Sequence, residues 1–446
     1  MQLRRLATAT AAGLIAVAAL AGCGTSNTPD ATGDGAVSGD ITLRLWDEKV
    51  ADSYETSIAA FEEANPGVNV ELNVVPWADY FTTLRQEVGT GAGDDLFWLN
   101  GANLNDYVEA GSLLNIDETL GAQAKNAWTP AVVSQYTVDG VLYGVPQITD
   151  GGSAFYVNED LLAAAGVTAD ELSNATWSID PAQDTLLPLL QKLTVDQNGN
   201  NAASPEFDST KVASYGINVA NEIQNIQLNF IGSNGGTYQT AEGAMTFTEP
   251  KTVEAYQYMV DLINKYHVAP PAEASNENGD YTRDEFIKGN IAVFESGTYN
   301  LANVHEGAAF PWSITEIAAG PAGKVTTAPG VIVAGNANTK NPEAVKALLE
   351  WLGSTEGNQF IGATGSAVPA VTEARDAYDT YWQGESVDTA AFFTVLEGNE
   401  QLPPVTGTNF GAQFEAFTPS LNEVFLGKVD VATGLKSAED AAAKVG

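Results

Sequence analysis

The chain of 446 residues has one cysteine and two histidines, and only 19 lysines and arginines stand against 57 aspartates and glutamates. A single thiol forms no internal disulfide, and a metal centre built on it would need His267 and His305, which lie at no ligand spacing from Cys23. Clustered metal-ligating residues are absent elsewhere too, so no metal and no cofactor is expected. A formal charge of −38 repels nucleic acid and anionic lipid surfaces, which makes both poor partners for the folded chain. The same field disfavours an anionic substrate and leaves a neutral ligand as the simpler expectation. The small and apolar stretch from Leu6 to Ala19 has 14 residues, fewer than the roughly 20 that cross a bilayer, and no later run approaches that length. Signatures of catalysis are missing as well. There is no G-x-S-x-G, no H-E-x-x-H and no phosphate loop: "GPAGKVT" (Gly320 to Thr326) is too short between its glycines, and "GTGAG" (Gly89 to Gly93) follows a helix pattern instead of a strand. "DQNGNN" (Asp196 to Asn201) opens like a calcium loop, but Phe207 stands where the bidentate carboxylate would be.

The one cysteine has a telling context. Arg4 and Arg5 precede the apolar stretch, and Leu20, Ala21 and Gly22 supply small residues for a processing enzyme, the grammar of an export signal. Leu-Ala-Gly-Cys resembles the bacterial lipobox, in which the cysteine receives a diacylglycerol and becomes the first residue of the mature chain. Residues 1–22 are thus expected to be a signal peptide, Cys23 a lipid anchor, and 24–40 a flexible tether, since "GTSNTPDATGDGAVSGD" carries no aromatic residue. Seventeen such residues span about 20–25 Å root-mean-square. Removing Arg4 and Arg5 leaves 17 basic against 57 acidic residues, a charge of −40. From Ile41 onward the protein is expected to be soluble, on the extracellular face of the cytoplasmic membrane.

The first half alternates strand and helix signals. "ITLRLWD" (Ile41 to Asp47), "VNVELNVV" (Val68 to Val75) and "DLFWL" (Asp95 to Leu99) read as strands. Tyr54, Ile58 and Phe61, then Tyr80, Leu84 and Val88, recur at helical spacing between them, with "NPG" as a stop. The order β-α-β-α-β implies an α/β fold with a largely parallel sheet, in which ligands bind beyond the carboxyl ends of the strands. Those ends carry Trp46-Asp47, Trp77 and Trp98-Leu99-Asn100. Packing beneath the sheet is an equally good use for Trp46; Trp77 is expected in the core, as are Trp312, Trp351 and Trp382. "DGVLYGVPQITDGGSAFYVNEDLL" (Asp139 to Leu162) has the form of a crossover between lobes, and Pro342 opens a helix that buries Ala344, Leu348, Leu349 and Leu352.

Taken in order, the lipobox, "FEEANPGVNVELNVVPWADYFTTL", "DGVLYGVPQITDGGSAFYVNEDLL", "FIKGNIAVFESGTY" and "NPEAVKALLEWLGSTEGNQF" resemble the solute-binding proteins of bacterial ABC sugar importers, the maltose-binding-protein-like family. The resemblance covers the chain from Ile41 to its end. It implies a two-lobed periplasmic-binding-protein fold of type II, one lobe formed by 41–150 plus 310–353 and the other by 151–309 plus 354–446. It further implies a monomer that closes its lobes on a neutral mono- or oligosaccharide and delivers it to the transmembrane subunits of an ABC permease. Residue by residue, Trp98 resembles the aromatic that stacks on a sugar ring, with Asn100 beside it. Trp46 and Asp47 resemble the first-strand end that meets the ligand, and Asp150 the acidic residue at the hinge. Tyr299 stands where many members have tryptophan. Gln224, Gln227 and Asn229 in "NEIQNIQLNF" would line the second lobe or lie on a solvated helix face, and Gly330 would let backbone approach the ligand or form a plain turn. Two other functions stay open: a lipid-anchored glycoside hydrolase, for which no spacing singles out an acid and base pair, and a peptide receptor of the same fold.

Overall fold

The computed structural model describes residues 37–90, 93–399 and 401–445. The expected signal peptide, Cys23 and the tether as far as residue 36 lie outside the described residues. The tether ends earlier than expected, because Gly39 and Asp40 already pair with Val68 and Asn69 as the first rungs of a strand ladder.

Twelve strands are described: β1 (Gly39–Leu45), β2 (Val68–Val74), β3 (Leu96–Asn100), the short hairpin β4 (Thr137–Val138) and β5 (Val141–Leu142), β6 (Val145–Thr149), β7 (Ala154–Asn158), β8 (Val195–Asp196), β9 (Val212–Ile217), β10 (Ile291–Ser296), β11 (Trp312–Glu316) and β12 (Gly330–Gly335). They form two five-stranded sheets, ordered β2-β1-β3-β12-β6 and β11-β7-β10-β9-β8, beside the hairpin. In the first sheet β2, β1 and β3 run parallel, as the alternation of elements implies. Helix Glu48–Ala64 buries Val50, Tyr54, Ile58 and Phe61, and helix Trp77–Thr90 aligns Tyr80, Leu84 and Val88 on one face, all buried. Each such side chain contributes about 1.5–3 kcal/mol when it leaves water. Helix Pro342–Leu352 covers the sheet with Ala344, Leu348, Leu349 and Leu352, all buried. Arg44 of β1, 4 % exposed, is ion-paired with Asp94 and Glu87, which neutralises a charge inside this lobe.

The second sheet is covered on both faces. One core joins Phe155, Val157, Ile217 and Val293 to helices Pro250–Asn264, Phe410–Phe425 and Val431–Ala442. The other joins Tyr156, Phe286, Phe294, Leu301 and Trp382. Two of the expected lobe boundaries need correction. Trp312–Glu316 pairs antiparallel with β7, so the chain is still in the second lobe at 310 and returns to the first only near β12. Helix Thr355–Ala363 then remains with the first lobe, where Ile361, Val371 and Ala374 are buried with the first sheet. A strand signal says nothing of which sheet receives the strand, because that is settled by pairing with residues distant in sequence.

Between β6 and β7 the chain crosses at Asp150–Ser153. Asp150 N donates to Pro329 O of the returning segment at 2.9 Å, and Ser153 N donates to Thr326 Oγ1 at 3.0 Å. Gly151 and Gly152 are dictated by this close approach: a Cβ on Gly151 would stand 2.7 Å from Phe392 Cβ, and one on Gly152 2.6 Å from Val395 Cγ1.

Candidate ligand-binding cleft

The carboxyl ends of β1, β2 and β3 lie on one edge of the first lobe, and an aromatic group is built there. Trp46 directly follows β1 and is half-buried. Its ring meets Trp77 at 5.3 Å and 73°, Tyr80 at 5.0 Å and 82°, and Trp98 at 4.8 Å and 79°. Edge-to-face geometry of this kind fixes ring orientation. Trp77, expected in the core, is 54 % exposed at the start of its helix. Asp47 caps the helix Glu48–Ala64, its Oδ1 accepting from Lys49 N at 2.8 Å and Val50 N at 3.2 Å. Burial pushes its carboxyl up from the ordinary range, against those two hydrogen bonds. Asn100 Oδ1 caps the next helix by accepting from Asn103 N at 3.2 Å, and Asn100 stays half-buried at the same edge.

Trp98 is a correction. It is 1 % exposed beneath Trp46, its Nε1 donates to Tyr54 Oη at 3.2 Å, and its carbonyl accepts from Tyr80 Oη at 2.9 Å. It supports the ring that faces the edge and has no free face of its own. Gly330 is a second correction: a Cβ there would stand 2.7 Å from Val132 Cγ1, so packing inside the first lobe demands the glycine.

Opposite this edge, the second lobe presents a π-helical turn, Ile223–Gln227, a rare element often found at functional sites. Glu222 caps it, accepting from Gln224 N at 2.8 Å, Asn225 N at 2.8 Å and Ile226 N at 3.2 Å. Burial raises the Glu222 carboxyl and these three donors counter it. Asn225 Nδ2 donates to Tyr299 Oη at 2.5 Å, and Ser153 Oγ donates to Asn225 Oδ1 at 2.9 Å. Asp150, at the crossover, accepts from Thr298 Oγ1 at 2.7 Å. Burial pushes Asp150 up to about 6, against that hydrogen bond and with help from the charge of Asp47. Burial and the charge of Glu222 likewise push Tyr299 up. Asp47, Asp150, Glu222 and Tyr299 therefore form one electrostatic neighbourhood fed by both lobes.

Gln224 lies half-buried on the π-turn. Gln227 and Asn229 do not line the cleft, and this corrects the expectation for Asn229. Gln227 is fully buried and accepts from Tyr256 Oη at 2.6 Å; Asn229 is 2 % exposed and donates to Glu295 Oε1 at 2.7 Å. Sequence reasoning missed Glu222 and Asn225, although both stand in the quoted "NEIQNIQLNF". A π-turn changes which positions share a face, and nothing in the local sequence marks one. In the loop that opens like a calcium site, Asp196 accepts from the backbone of Asn198, Asn200 and Asp208 and is held down to about 2.

The lobes meet at both rims. On one side Asn409 N donates to Asp106 Oδ1 at 2.7 Å, Thr408 Oγ1 to Glu109 Oε1 at 2.7 Å, and Arg85 pairs with Glu415 at 3.2 Å. On the other Lys49 pairs with Glu306.

A cleft of this construction between two α/β lobes accompanies a family-level match: residues 47–359 fit the model of the bacterial extracellular solute-binding proteins. The chain belongs to that family. UspC of M. tuberculosis is 45 % identical, and the likeness covers 91 % of this chain and 100 % of that one with a TM-score of 0.74. An ABC substrate-binding protein of Listeria monocytogenes, solved in complex with cycloalternan, is 20 % identical with a TM-score of 0.77, covering 91 % of this chain and 98 % of that one. A probable ABC transporter-binding protein of Deinococcus radiodurans is 26 % identical over 382 residues, 81 % of this chain and 82 % of that one. The two-lobed fold of the maltose-binding-protein-like sugar receptors is thus the fold of this chain. Among the described residues, no helix is long and apolar enough to cross a membrane.

Proposed function

We propose that the protein captures a neutral mono- or oligosaccharide between its lobes and delivers it to the transmembrane subunits of an ABC importer. The observation that carries this reading is the aromatic edge. Trp46 and Trp77 stand at 73° to each other beside Asp47 and Asn100, which offers flat faces for sugar C–H groups and polar partners for hydroxyls. From the second lobe, the half-buried Gln224 and Tyr299 add hydrogen-bonding groups, and Asp150 stands at the hinge. Binding without cleavage is the reading that fits the acids. Glu222 and Asp47 accept from the backbone of the helical turns they cap, and Asp150 from Thr298, so each is held in a structural role. The experiment is isothermal titration of the chain from Gly24 onward against neutral mono- and oligosaccharides, with the sugars analysed afterwards. Tight binding of one or a few sugars returned intact is the expected result. Shortened products would make it a hydrolase, and silence across the panel would point to peptides.

Closure is the signal a permease reads, because a ligand shifts the lobes only as far as it prefers the closed state. Asp106→Ala removes the acceptor for Asn409 N at the rim without touching the cleft. Removing a hydrogen bond worth about 0.5–1.5 kcal/mol from the closed state is expected to weaken binding of the sugar found in the panel by about 2–10-fold. An unchanged dissociation constant would remove this contact from the closure equilibrium.

The lipid anchor is also part of this proposal. Cys23→Ser is expected to move the protein from the membrane fraction to the medium, since two acyl chains bind firmly where one is marginal. Continued sedimentation with membranes would overturn it.

A further inference from the structure

At the floor of the cleft, one side-chain amide is fixed in place with its donor end unused. Gln135 closes the helix Pro130–Gln135 in the first lobe. Its Oε1 accepts from Gly330 N at 3.0 Å, while the hydroxyl of Tyr136, the next residue, donates to Gly330 O. Two adjacent side chains thus clamp both backbone groups of the residue that opens β12. Because Gly330 N can only donate, the amide oxygen must face it, and that fixes which way the amide is turned. Nε2 is then the end turned away from Gly330. Although Gln135 as a residue is half-buried, its Nε2 is shut off from solvent and has no hydrogen-bond partner among the described residues.

The sheet register places this amide. Gly330 pairs with Thr149 at the end of β6, and Val331 pairs with Asn100 at the end of β3. The amide therefore sits where β3 and β6 stop, on the edge that also carries Asp150. Gly101, which follows Asn100, makes room for it: a Cβ there would stand 2.6 Å from Gln135 Nε2. Asp150 is near enough for its charge to act on the Tyr136 hydroxyl, which burial pushes well up. A donor without a partner and a carboxylate acceptor thus flank the same pair of strand ends. Leaving a buried amide N–H unpaired is costly. If holding Gly330 were the whole task of this side chain, an acceptor alone would suffice.

We propose that Gln135 is a ligand-binding residue whose Nε2 donates to an oxygen of the bound solute at the floor of the cleft. That this oxygen is a hydroxyl rests on the carbohydrate reading given above. A hydroxyl has one proton and two lone pairs, so it can accept from Gln135 while donating to Asp150. An amide also suits a neutral solute, since it supplies a hydrogen bond without a cation that would pair with Asp150 in the empty cleft.

The test is the side-chain amide NMR spectrum of the chain from Gly24 onward, labelled with nitrogen-15 on glutamine. It is recorded with and without each member of a panel of neutral mono- and oligosaccharides and, separately, of neutral tripeptides. The Gln135 signal pair is identified by its loss in Gln135→Glu, and it is expected to shift with the sugar that isothermal titration finds to bind. Gln135→Glu keeps an acceptor for Gly330 N but puts a second acceptor in place of the donor, and a hydroxyl cannot give its one proton to two carboxylates. Affinity for that sugar is expected to fall about 10–100-fold. Among singly deoxygenated forms of the sugar, one is expected to lose affinity for the unaltered protein by a similar factor, yet to bind Gln135→Glu within about twofold of the parent sugar. A packing role for Gln135 would not produce that pairing. A sugar that binds while the Gln135 pair stays still, or that binds Gln135→Glu as tightly as the unaltered protein, overturns the proposal and leaves the carbohydrate reading standing. A tripeptide that shifts the pair while every sugar fails supports Gln135 and overturns the carbohydrate reading. No shift with any member of either panel overturns the proposal. Should Gln135→Glu fail to fold, Gln135→Met takes its place: the same fall in affinity supports the proposal, and an unchanged affinity overturns it.

Discussion

Trp98→Ala is expected to destabilise the first lobe by about 3–5 kcal/mol, the range for emptying a large aromatic site in a packed core. The side chain is 1 % exposed, and it holds Trp46 edge-on at 4.8 Å and Tyr54 at 5.7 Å. Its removal also takes a donor from Tyr54 Oη, which itself donates to Gln147 Oε1 at 2.7 Å in the interior. Trp98→Phe keeps much of the volume and loses only the indole N–H and one ring, so its cost is expected to be clearly smaller. Urea unfolding followed by circular dichroism measures both. The pair also separates support from contact. If Trp98 acts only beneath Trp46, Trp98→Phe keeps ligand affinity within a few-fold while stability falls. A large loss of affinity at nearly unchanged stability would restore Trp98 to the ligand surface.

The same residue shows what the sequence could and could not convey. Alternating patterns revealed β1, β2 and β3, and helical spacing revealed the buried faces of the helices between them, because those periods are local. Which tryptophan faces the cleft depends on where each strand stops. In the ladder Leu43 pairs with Leu96 and Arg44 with Phe97. The chain leaves β1 just before Trp46, but β3 runs on to Asn100 and keeps Trp98 inside the sheet. A difference of two or three residues in strand length thus exchanges the roles of two rings that look alike in sequence. Trp77 was misjudged for a related reason: it opens a helix whose buried face begins three residues later, at Tyr80. The crossover at Gly151 and Gly152 was legible because paired glycines next to a strand end are a local sign of close approach. The π-turn was not, since one extra residue per turn shifts every later position, and it leaves Gln224 half-buried while Asn229, offered by the family resemblance, is turned inward.

Trp46→Ala is the decisive substitution for the cleft itself. Its ring is half-buried among Trp77, Tyr80, Phe81 and Trp98, so it arrives at the ligand already oriented and loses little rotamer freedom on binding. Anchors of this kind cost about 2–4 kcal/mol of binding when truncated, which raises a dissociation constant by about 30-fold to 1000-fold. Trp77→Ala is expected to cost less, because Trp77 is 54 % exposed and only part of its face can be covered by a ligand. Trp46→Phe keeps a flat face at the same position and is expected to recover part of the affinity. Titration of the three variants with the sugar identified in the panel checks the order. Equal affinity in Trp46→Ala and the unaltered protein would move the ligand off this edge, and the remaining aromatic candidate would be Tyr299 on the second lobe. Its hydroxyl already accepts from Asn225 Nδ2 at 2.5 Å, so binding centred there would depend on the π-turn far more than on the first lobe.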